Sequence, residues 1–247
     1  MYKNYIFDLY GTLIDIRTDE NQIMLYQKMI PLYASKGANY EAQELKDAYN
    51  QFVSEEYKEI SKEHPEFSEH DIDIVKVFNR FLSHKGISED IEFAKFAAES
   101  FRTFSTNFIK LYDGVIDLLE SLKKADKRIY LLSNAQESFT LPEMKKLNIY
   151  KFFDGIVISS NELCKKPDPA FFNILINRYN LNKTETVMIG NDYISDIKGA
   201  YDVGINSLYI HQEISPRIDG KLYSKYTVMD GDVTKIKQYL LKDRSEL

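Results

Sequence analysis

Four short apolar runs in this sequence end in polar or charged side chains that could do chemistry. The first run, NYIFD, ends at Asp8, and Tyr10 and Thr12 follow it within a Gly-Thr turn. A carboxylate can attack an electrophilic phosphorus or carbon atom and form a covalent intermediate that water then resolves. Asp8 is therefore a candidate nucleophile, although an aspartate before a turn also fits a turn-forming role.

The other three runs are followed by groups that could bind an anion or a metal ion. Hydroxyl, amide and backbone N–H groups at a strand end can hold phosphate oxygens, and a lysine can stabilise the charge of a transferring group. Mg²⁺ prefers oxygen ligands and usually takes one or two carboxylates. The groups are Ser133 and Asn134 after RIYLL, Lys165 and Lys166 beyond GIVISS, and Asn191, Asp192 and Asp196 after TVMIG.

The arrangement of helices and strands predicts how these side chains are brought together. Residues 16–106 carry apolar side chains at helical spacing, as at Ile74, Val77, Phe78 and Phe81, whereas residues 107–247 alternate short β-rich runs with helices. Such alternation predicts a parallel sheet with crossover helices, in which ligands bind at the carboxyl ends of the strands. We expect an α/β core of residues 1–15 and 107–247 with a helical domain, residues 16–106, inserted after the first strand.

The composition restricts the compartment and the partners. The chain has 247 residues, a formal net charge of -6 and a single cysteine, Cys164, so it cannot form an intramolecular disulfide. The negative charge argues against a nucleic-acid partner, and the lone cysteine fits a reducing compartment. There is no apolar segment of signal-peptide length at the N-terminus and no run of about 18 apolar residues, so we expect a cytoplasmic protein without membrane contact.

Taken in order, the four clusters resemble the motifs of the haloacid dehalogenase-like (HAD) hydrolase superfamily. FDLYGTLID is similar to its first motif, with Asp8 as nucleophile, and LLSN to its second, through Ser133. KKPDPAFF is similar to the third, with Lys166 as its lysine, and IGNDYISDIKGA to the acidic fourth. The helical insert matches the position of the C1 cap. The resemblance implies a doubly wound, Rossmann-like parallel-sheet core with a helical cap.

Two positions depart from the phosphatases of this superfamily. Tyr10 stands where they carry an aspartate acting as general acid and base, and 2-haloacid dehalogenases characteristically have tyrosine there. A phenol, with a pKa of about 10, is a poor base for activating water. In the phosphatases this position gives its backbone carbonyl to Mg²⁺, which Tyr10 can also do. Asn191 replaces an acid that many relatives carry, but the spacing of Asp192 and Asp196 still fits the acidic motif.

Three functions follow from these observations. The first is a Mg²⁺-dependent phosphohydrolase of a small phosphorylated metabolite, with an aspartyl-phosphate on Asp8. The second is a metal-independent dehalogenase of a halogenated acid, with Arg17 as the nearest candidate for its carboxylate. The third is a low-turnover phosphate-binding or regulatory protein, since a fold does not fix a function.

The acids after TVMIG, Asp192 and Asp196, favour the phosphohydrolase because they support a metal site. The sequence leaves the substrate and the oligomeric state open. The predicted roles are catalysis by Asp8, Tyr10 and Lys166, substrate binding by Thr12, Ser133, Asn134 and Lys166, and Mg²⁺ binding by Asp8, Tyr10, Asp192 and Asp196.

Overall fold

A computed structural model of the protein describes residues 2–241. Its main sheet has six parallel strands in the spatial order β5-β4-β1-β6-β7-β8, and a separate two-stranded sheet pairs β2 with β3. The strands are β1 (Asn4–Phe7), β2 (Ile14–Thr18), β3 (Thr106–Leu111), β4 (Arg128–Ser133), β5 (Gly155–Ile158), β6 (Thr186–Gly190), β7 (Asn206–Ile210) and β8 (Tyr226–Val228).

The chain builds the main sheet outward from β1, first toward β5 and then in the opposite direction toward β8. The change of direction lies beside β1, and in open α/β sheets this is where ligands bind. Alternate residues of the central strands pack on opposite faces, so Tyr5 and Phe7 join one buried cluster and Ile6 joins another. The predicted α/β, doubly wound fold is confirmed.

Helices follow the core strands and cover both faces of the sheet. They are α5 (Val115–Lys124), α6 (Glu137–Lys146), the short α7 (Ser159–Glu162), α8 (Pro169–Arg178), the short α9 (Gly199–Asp202) and α10 (Thr234–Leu240). Asp168 begins α8, because its side chain accepts a hydrogen bond from the Ala170 N–H. Within residues 2–241, no helix combines the length and the apolar character that crossing a bilayer requires.

The insert is helical and has a hydrophobic core of its own. It contains α1 (Ile23–Ala34), α2 (Ala42–Glu63), α3 (Ile74–His84) and α4 (Ile91–Ser105). The apolar face predicted on α3 is buried, with Ile74, Val77, Phe78 and Phe81 all at most 5% exposed. Phe139 from α6 of the core packs into the same cluster, so the insert contacts the core beside the carboxyl end of β4.

The strands β2 and β3 were not predicted. They pair antiparallel at the two ends of the insert, with Ile14 opposite Leu111 and Ile16 opposite Ile109. Most of their side chains are partly or fully exposed, so their sequences lack the continuous apolar character of the core strands. Both strands cross the predicted domain boundaries at 15/16 and 106/107. The domain division stays a prediction, and residues 1 and 242–247 of the predicted core lie outside the described residues.

Candidate active site

Asp8 lies directly after β1, at the carboxyl edge of the sheet. It is 8% exposed, and its backbone N–H donates to the Ile189 carbonyl on β6 at 2.9 Å. The Thr12 hydroxyl donates to an Asp8 carboxylate oxygen at 3.4 Å and to the Asn191 side-chain oxygen at 3.3 Å. Gly11 permits this turn, because it has a φ of +82° and a Cβ there would lie 2.3 Å from Asn191.

Lys166 joins two buried carboxylates. Its Nζ donates to Asp8 Oδ1 at 2.7 Å and to Asp196 Oδ1 at 2.7 Å, and its side chain is only 1% exposed. Burial alone would lower the pKa of Lys166, but the negative charges of Asp196 and Asp8 outweigh it and leave the pKa above its ordinary value. The structure thus brings together three predicted site residues around one charged ammonium group.

Ser133 and Asn134 lie at the carboxyl end of β4. The Asn134 side chain donates to the Lys166 carbonyl at 2.9 Å and accepts from the Lys166 N–H at 2.8 Å, so it holds the lysine main chain. The Ser133 hydroxyl is buried, and its oxygen has no hydrogen-bond partner within the described structure. An unsatisfied buried hydroxyl costs on the order of 1–3 kcal/mol, so a ligand oxygen that reached it would be stabilised.

The two acids after β6 have different surroundings. The Asp192 carboxylate accepts hydrogen bonds from the Ile194 and Ser195 N–H groups and from the Ser195 hydroxyl, and thereby begins the π-helical turn Tyr193–Lys198. The Asp192 N–H in turn donates to Asp196 Oδ2 at 2.9 Å. Burial raises the pKa of the Asp196 carboxyl, with Lys166 opposing the rise and Asp8 adding to it. Asp196 therefore faces Lys166, whereas the Asp192 side chain is occupied by its own turn.

The donors around Lys166 are suited to a hard cation. Within residues 2–241, no three His, Cys, Asp or Glu side chains come close enough together to hold a metal ion. Mg²⁺ does not require such a cluster, since it usually takes one or two carboxylates and completes its shell with water and substrate oxygens. Asp8 and Asp196 supply two buried carboxylates, and the Thr12 hydroxyl contacts both Asp8 and the Asn191 side-chain oxygen. The chemistry of this donor set fits Mg²⁺.

The phenol of Tyr10 forms its hydrogen bonds with the core helix α6. Its hydroxyl donates to Glu143 Oε2 at 2.5 Å and lies 3.3 Å from the Thr140 hydroxyl. Burial raises the pKa of the Tyr10 phenol, the charge of Glu143 adds to the rise, and Arg102 opposes it. The phenol is consequently a neutral hydrogen-bond donor near neutral pH and does not serve as a base.

Arg102, at the end of α4, was missed by the sequence analysis. Its Nε donates to Glu143 Oε1 at 2.7 Å, and its guanidinium lies 5.3 Å from the ring centroids of both Tyr10 and Phe139. The side chains of Arg102 and Glu143 are 14% and 12% exposed. An arginine in an aromatic helix end gives no motif signal, and only the structure shows that it joins the insert to the core beside the site.

A cavity of about 710 Å³ lies between the insert and the core. Its wall includes Arg102, Tyr49 and Tyr57 from the insert. A smaller cavity of about 220 Å³ contains Asp8 and Asp196. Tyr10, Asn134, Lys166 and Ser195 line both cavities, so the two spaces adjoin.

Arg17, the residue considered for a substrate carboxylate, has a different environment. It lies on β2, its side chain is 53% exposed, and it pairs with the exposed Glu213 at 2.7 Å. The arginine in the wall of the large cavity is Arg102.

Comparison with known proteins identifies the family. A model of the haloacid dehalogenase-like hydrolases matches residues 2–204. The chain belongs to this family. It is a hydrolase, and the predicted superfamily is confirmed.

The relatives include enzymes named for phosphate esters and for haloacids. The chain is 26% identical to the pyrimidine 5′-nucleotidase PynA of Streptococcus pneumoniae over 84% of this chain and 83% of that protein. It shares its fold with a HAD phosphatase from Thermococcus onnurineus, at 18% identity and a TM-score of 0.61 over 98% and 99% of the two chains. It shares it equally with a 2-haloacid dehalogenase from Pseudomonas syringae pv. Tomato DC3000, at 20% identity and a TM-score of 0.63 over 97% and 98%.

Proposed function

We propose that this HAD hydrolase cleaves a small phosphate monoester in a Mg²⁺-dependent reaction, with Asp8 as the nucleophile. The observation that carries the proposal is the contact of Lys166 Nζ with two buried carboxylates, Asp8 and Asp196. Attack on carbon needs only the first carboxylate. The second is useful where a metal ion must offset the charge of a phosphate. The nucleotidase named among the relatives supports the same reaction class.

The reaction takes place in two displacements at phosphorus. A carboxylate oxygen of Asp8 attacks phosphorus, the bond to the leaving oxygen breaks, and the leaving group departs with the electron pair and takes a proton from water. Water then attacks the phosphorus of the aspartyl-phosphate, which releases inorganic phosphate and restores the Asp8 carboxylate. Throughout, the Lys166 ammonium stabilises negative charge on the phosphoryl oxygens, and the unpartnered Ser133 hydroxyl donates to one of them.

Asp8, Asp196 and the backbone carbonyl of Tyr10 would hold Mg²⁺. The ion supplies positive charge that allows an anionic carboxylate to approach an anionic phosphate. In this proposal Asp192 acts through its backbone N–H, which fixes the orientation of Asp196, and its side chain shapes the turn that carries both residues.

Tyr10 does not supply the attacking water with a base. Its neutral phenol donates to Glu143, so it does not remove a proton from the attacking water. General acid–base assistance typically contributes a factor of about 10²–10⁴, and we therefore expect slow turnover compared with an enzyme that has aspartate at this position.

The test is phosphate release from p-nitrophenyl phosphate with added Mg²⁺, in the parent enzyme and in Asp8→Asn. Release should be lost in Asp8→Asn and after treatment with EDTA, and it should return when Mg²⁺ is restored. Retained activity in Asp8→Asn would refute Asp8 as the nucleophile.

A dehalogenase remains the second candidate because Tyr10 occupies the position that is tyrosine in 2-haloacid dehalogenases, and because Arg102 places a cation in the cavity wall. Halide release from 2-chloropropionate in EDTA would favour that reaction. If neither substrate is turned over but Mg²⁺ and phosphate raise the melting temperature together, the protein is a binding or regulatory member of the family.

A further inference from the structure

The insert contacts the loop of Lys166 through a short non-helical stretch, residues 68–72, which we call the wall segment. The Lys165 N–H donates to the Glu69 carbonyl at 3.0 Å, and the Asp71 N–H donates to the Leu163 carbonyl at 3.0 Å. Between these two bonds, His70 and Cys164 form an antiparallel bridge. The wall segment therefore runs like a strand along the residues that lead into Lys166.

Asp168 holds one end of the wall segment through a single carboxylate oxygen. Its Oδ2 accepts the Ser68 N–H at 2.6 Å, the Ser68 hydroxyl at 2.9 Å and the Glu69 N–H at 3.2 Å. Its other oxygen accepts the Ala170 N–H that begins α8. Asp168 is 5% exposed, so these bonds form largely away from water. Oδ1 thus binds the start of α8 in the core, and Oδ2 binds the insert.

Two further contacts hold the other end of the wall segment. The Ser159 hydroxyl, after β5, donates to Asp71 Oδ2 at 2.5 Å and also accepts the Ala135 N–H at 2.8 Å. The Gln136 side chain donates to the Ile72 carbonyl and accepts the Ile74 N–H, both at 2.9 Å. The loops after β4 and β5 therefore both bind the segment.

The wall segment forms one side of the large cavity through Glu69, Asp71 and Ile72. The catalytic lysine does not depend on this contact, because Asn134 holds its main chain and two carboxylates hold its ammonium group. A loss of Asp168 should therefore disturb the cavity wall before it disturbs Lys166.

From this arrangement we infer that Asp168 is a positioning residue for substrate binding. It fixes the wall segment so that Glu69 keeps its place in the cavity wall beside the leaving group of the substrate. The part of the inference that concerns substrate rests on the proposed phosphatase activity, whereas the part that concerns the wall segment does not.

The test compares Asp168→Ser with Asp90→Ser. Serine is a good first residue for a helix, so Asp168→Ser keeps the start of α8 but removes the oxygen that binds Ser68 and Glu69. Asp90 begins α4 in the same way, by accepting the Phe93 N–H at 3.0 Å, and is the matched control. Hydrogen exchange of the Ser68, Glu69 and Asp71 amides should become at least about 10-fold faster in Asp168→Ser and stay unchanged in Asp90→Ser.

Kinetics with two substrates distinguish an effect on the wall segment from an effect on Lys166. For p-nitrophenyl phosphate, whose leaving group enters the cavity, Asp168→Ser should raise KM by about 5–10-fold with kcat within about twofold. For acetyl phosphate, whose leaving group is small, kcat/KM should stay within about twofold. Equal losses with both substrates would overturn the inference, because they would place the effect at Lys166.

The exchange measurement decides the matter even without turnover. If the parent enzyme hydrolyses neither compound, the proposed phosphatase function fails. Faster exchange of the wall-segment amides in Asp168→Ser would then still support the positioning role, and unchanged exchange would overturn it.

Discussion

The side-chain amide of Asn134 holds the main chain of Lys166 from both sides, with one hydrogen bond of 2.9 Å to its carbonyl and one of 2.8 Å from its N–H. The loops after β4 and β5 are thereby joined at the residue that carries the ammonium group of the site. Lys166 is in this way anchored at its backbone as well as at its Nζ.

We expect Asn134→Ala to lower kcat by about 10–100-fold for every phosphate ester tested, because the lysine loses its backbone anchor while the wall segment keeps its hydrogen bonds to the core. KM should change little. Steady-state kinetics with p-nitrophenyl phosphate and acetyl phosphate test this. Asn161→Ala is the control, since the side chain of Asn161 donates to Glu137 at the exposed surface. A loss confined to the larger ester would contradict the anchoring role.

Lys166→Met should destabilise the fold by about 3–5 kcal/mol, because it leaves the Asp8 and Asp196 carboxylates buried without their cation. Urea unfolding measures the loss. Mg²⁺ should restore part of the stability by binding the folded state, and an absence of any Mg²⁺ effect would argue against a metal site here. Lys123→Met removes the half-exposed pair with Asp154 and should cost no more than about 1 kcal/mol.

Tyr10→Asp should raise phosphatase turnover if the enzyme is a phosphohydrolase. A protonated carboxyl group at this position can donate its proton to the leaving group, and the resulting carboxylate can then activate water, so we expect a gain of about 10-fold in kcat. In Tyr10→Asn the new side chain has nearly the same shape as aspartate but cannot ionise, so this variant should show no gain in kcat. A fall in halide release from 2-chloropropionate in Tyr10→Asp, with no gain in phosphate release, would instead favour the dehalogenase.

Arg102→Met should lower the free energy of unfolding by about 2–4 kcal/mol, because the Glu143 carboxylate would remain largely buried without its cationic partner. Glu143→Gln combined with Arg102→Met should recover part of the loss, since the double variant buries no unpaired charge. Thermal or urea unfolding of Arg102→Met, Glu143→Gln and the double variant gives the coupling energy between the two side chains. Additive losses in the double variant would show that the pair does not join the insert to the core.

The sequence was sufficient for the parts of the site that depend on the sheet. Asp8, Lys166 and Asp196 each follow an apolar run, and parallel strands bring their carboxyl ends to one edge, so their meeting could be predicted. The fold class and the helical insert followed from equally local periodicity.

The contacts between the insert and the core could not be predicted in this way. Arg102 meets Glu143 across 41 residues, and Ser68 meets Asp168 across 100 residues, with no repeating pattern to indicate either contact. The side chain of Asp192 was predicted as a metal ligand, but its three hydrogen bonds within its own turn depend on a local backbone geometry that spacing alone does not specify.

The central place of β1 has a consequence for how the enzyme is made. This strand precedes both of its neighbours in the chain, and those neighbours, β4 and β6, end only at Ser133 and Gly190. Until the ribosome has delivered both, β1 has unpaired backbone edges, and such long-range parallel pairing is intrinsically slow. The helical insert, whose four helices follow one another in the chain and share a hydrophobic core, can fold earlier. Asp8 therefore meets Lys166 and Asp196 only after β4, β5 and β6 have been synthesised, so a formed active centre shows that this part of the sheet has paired.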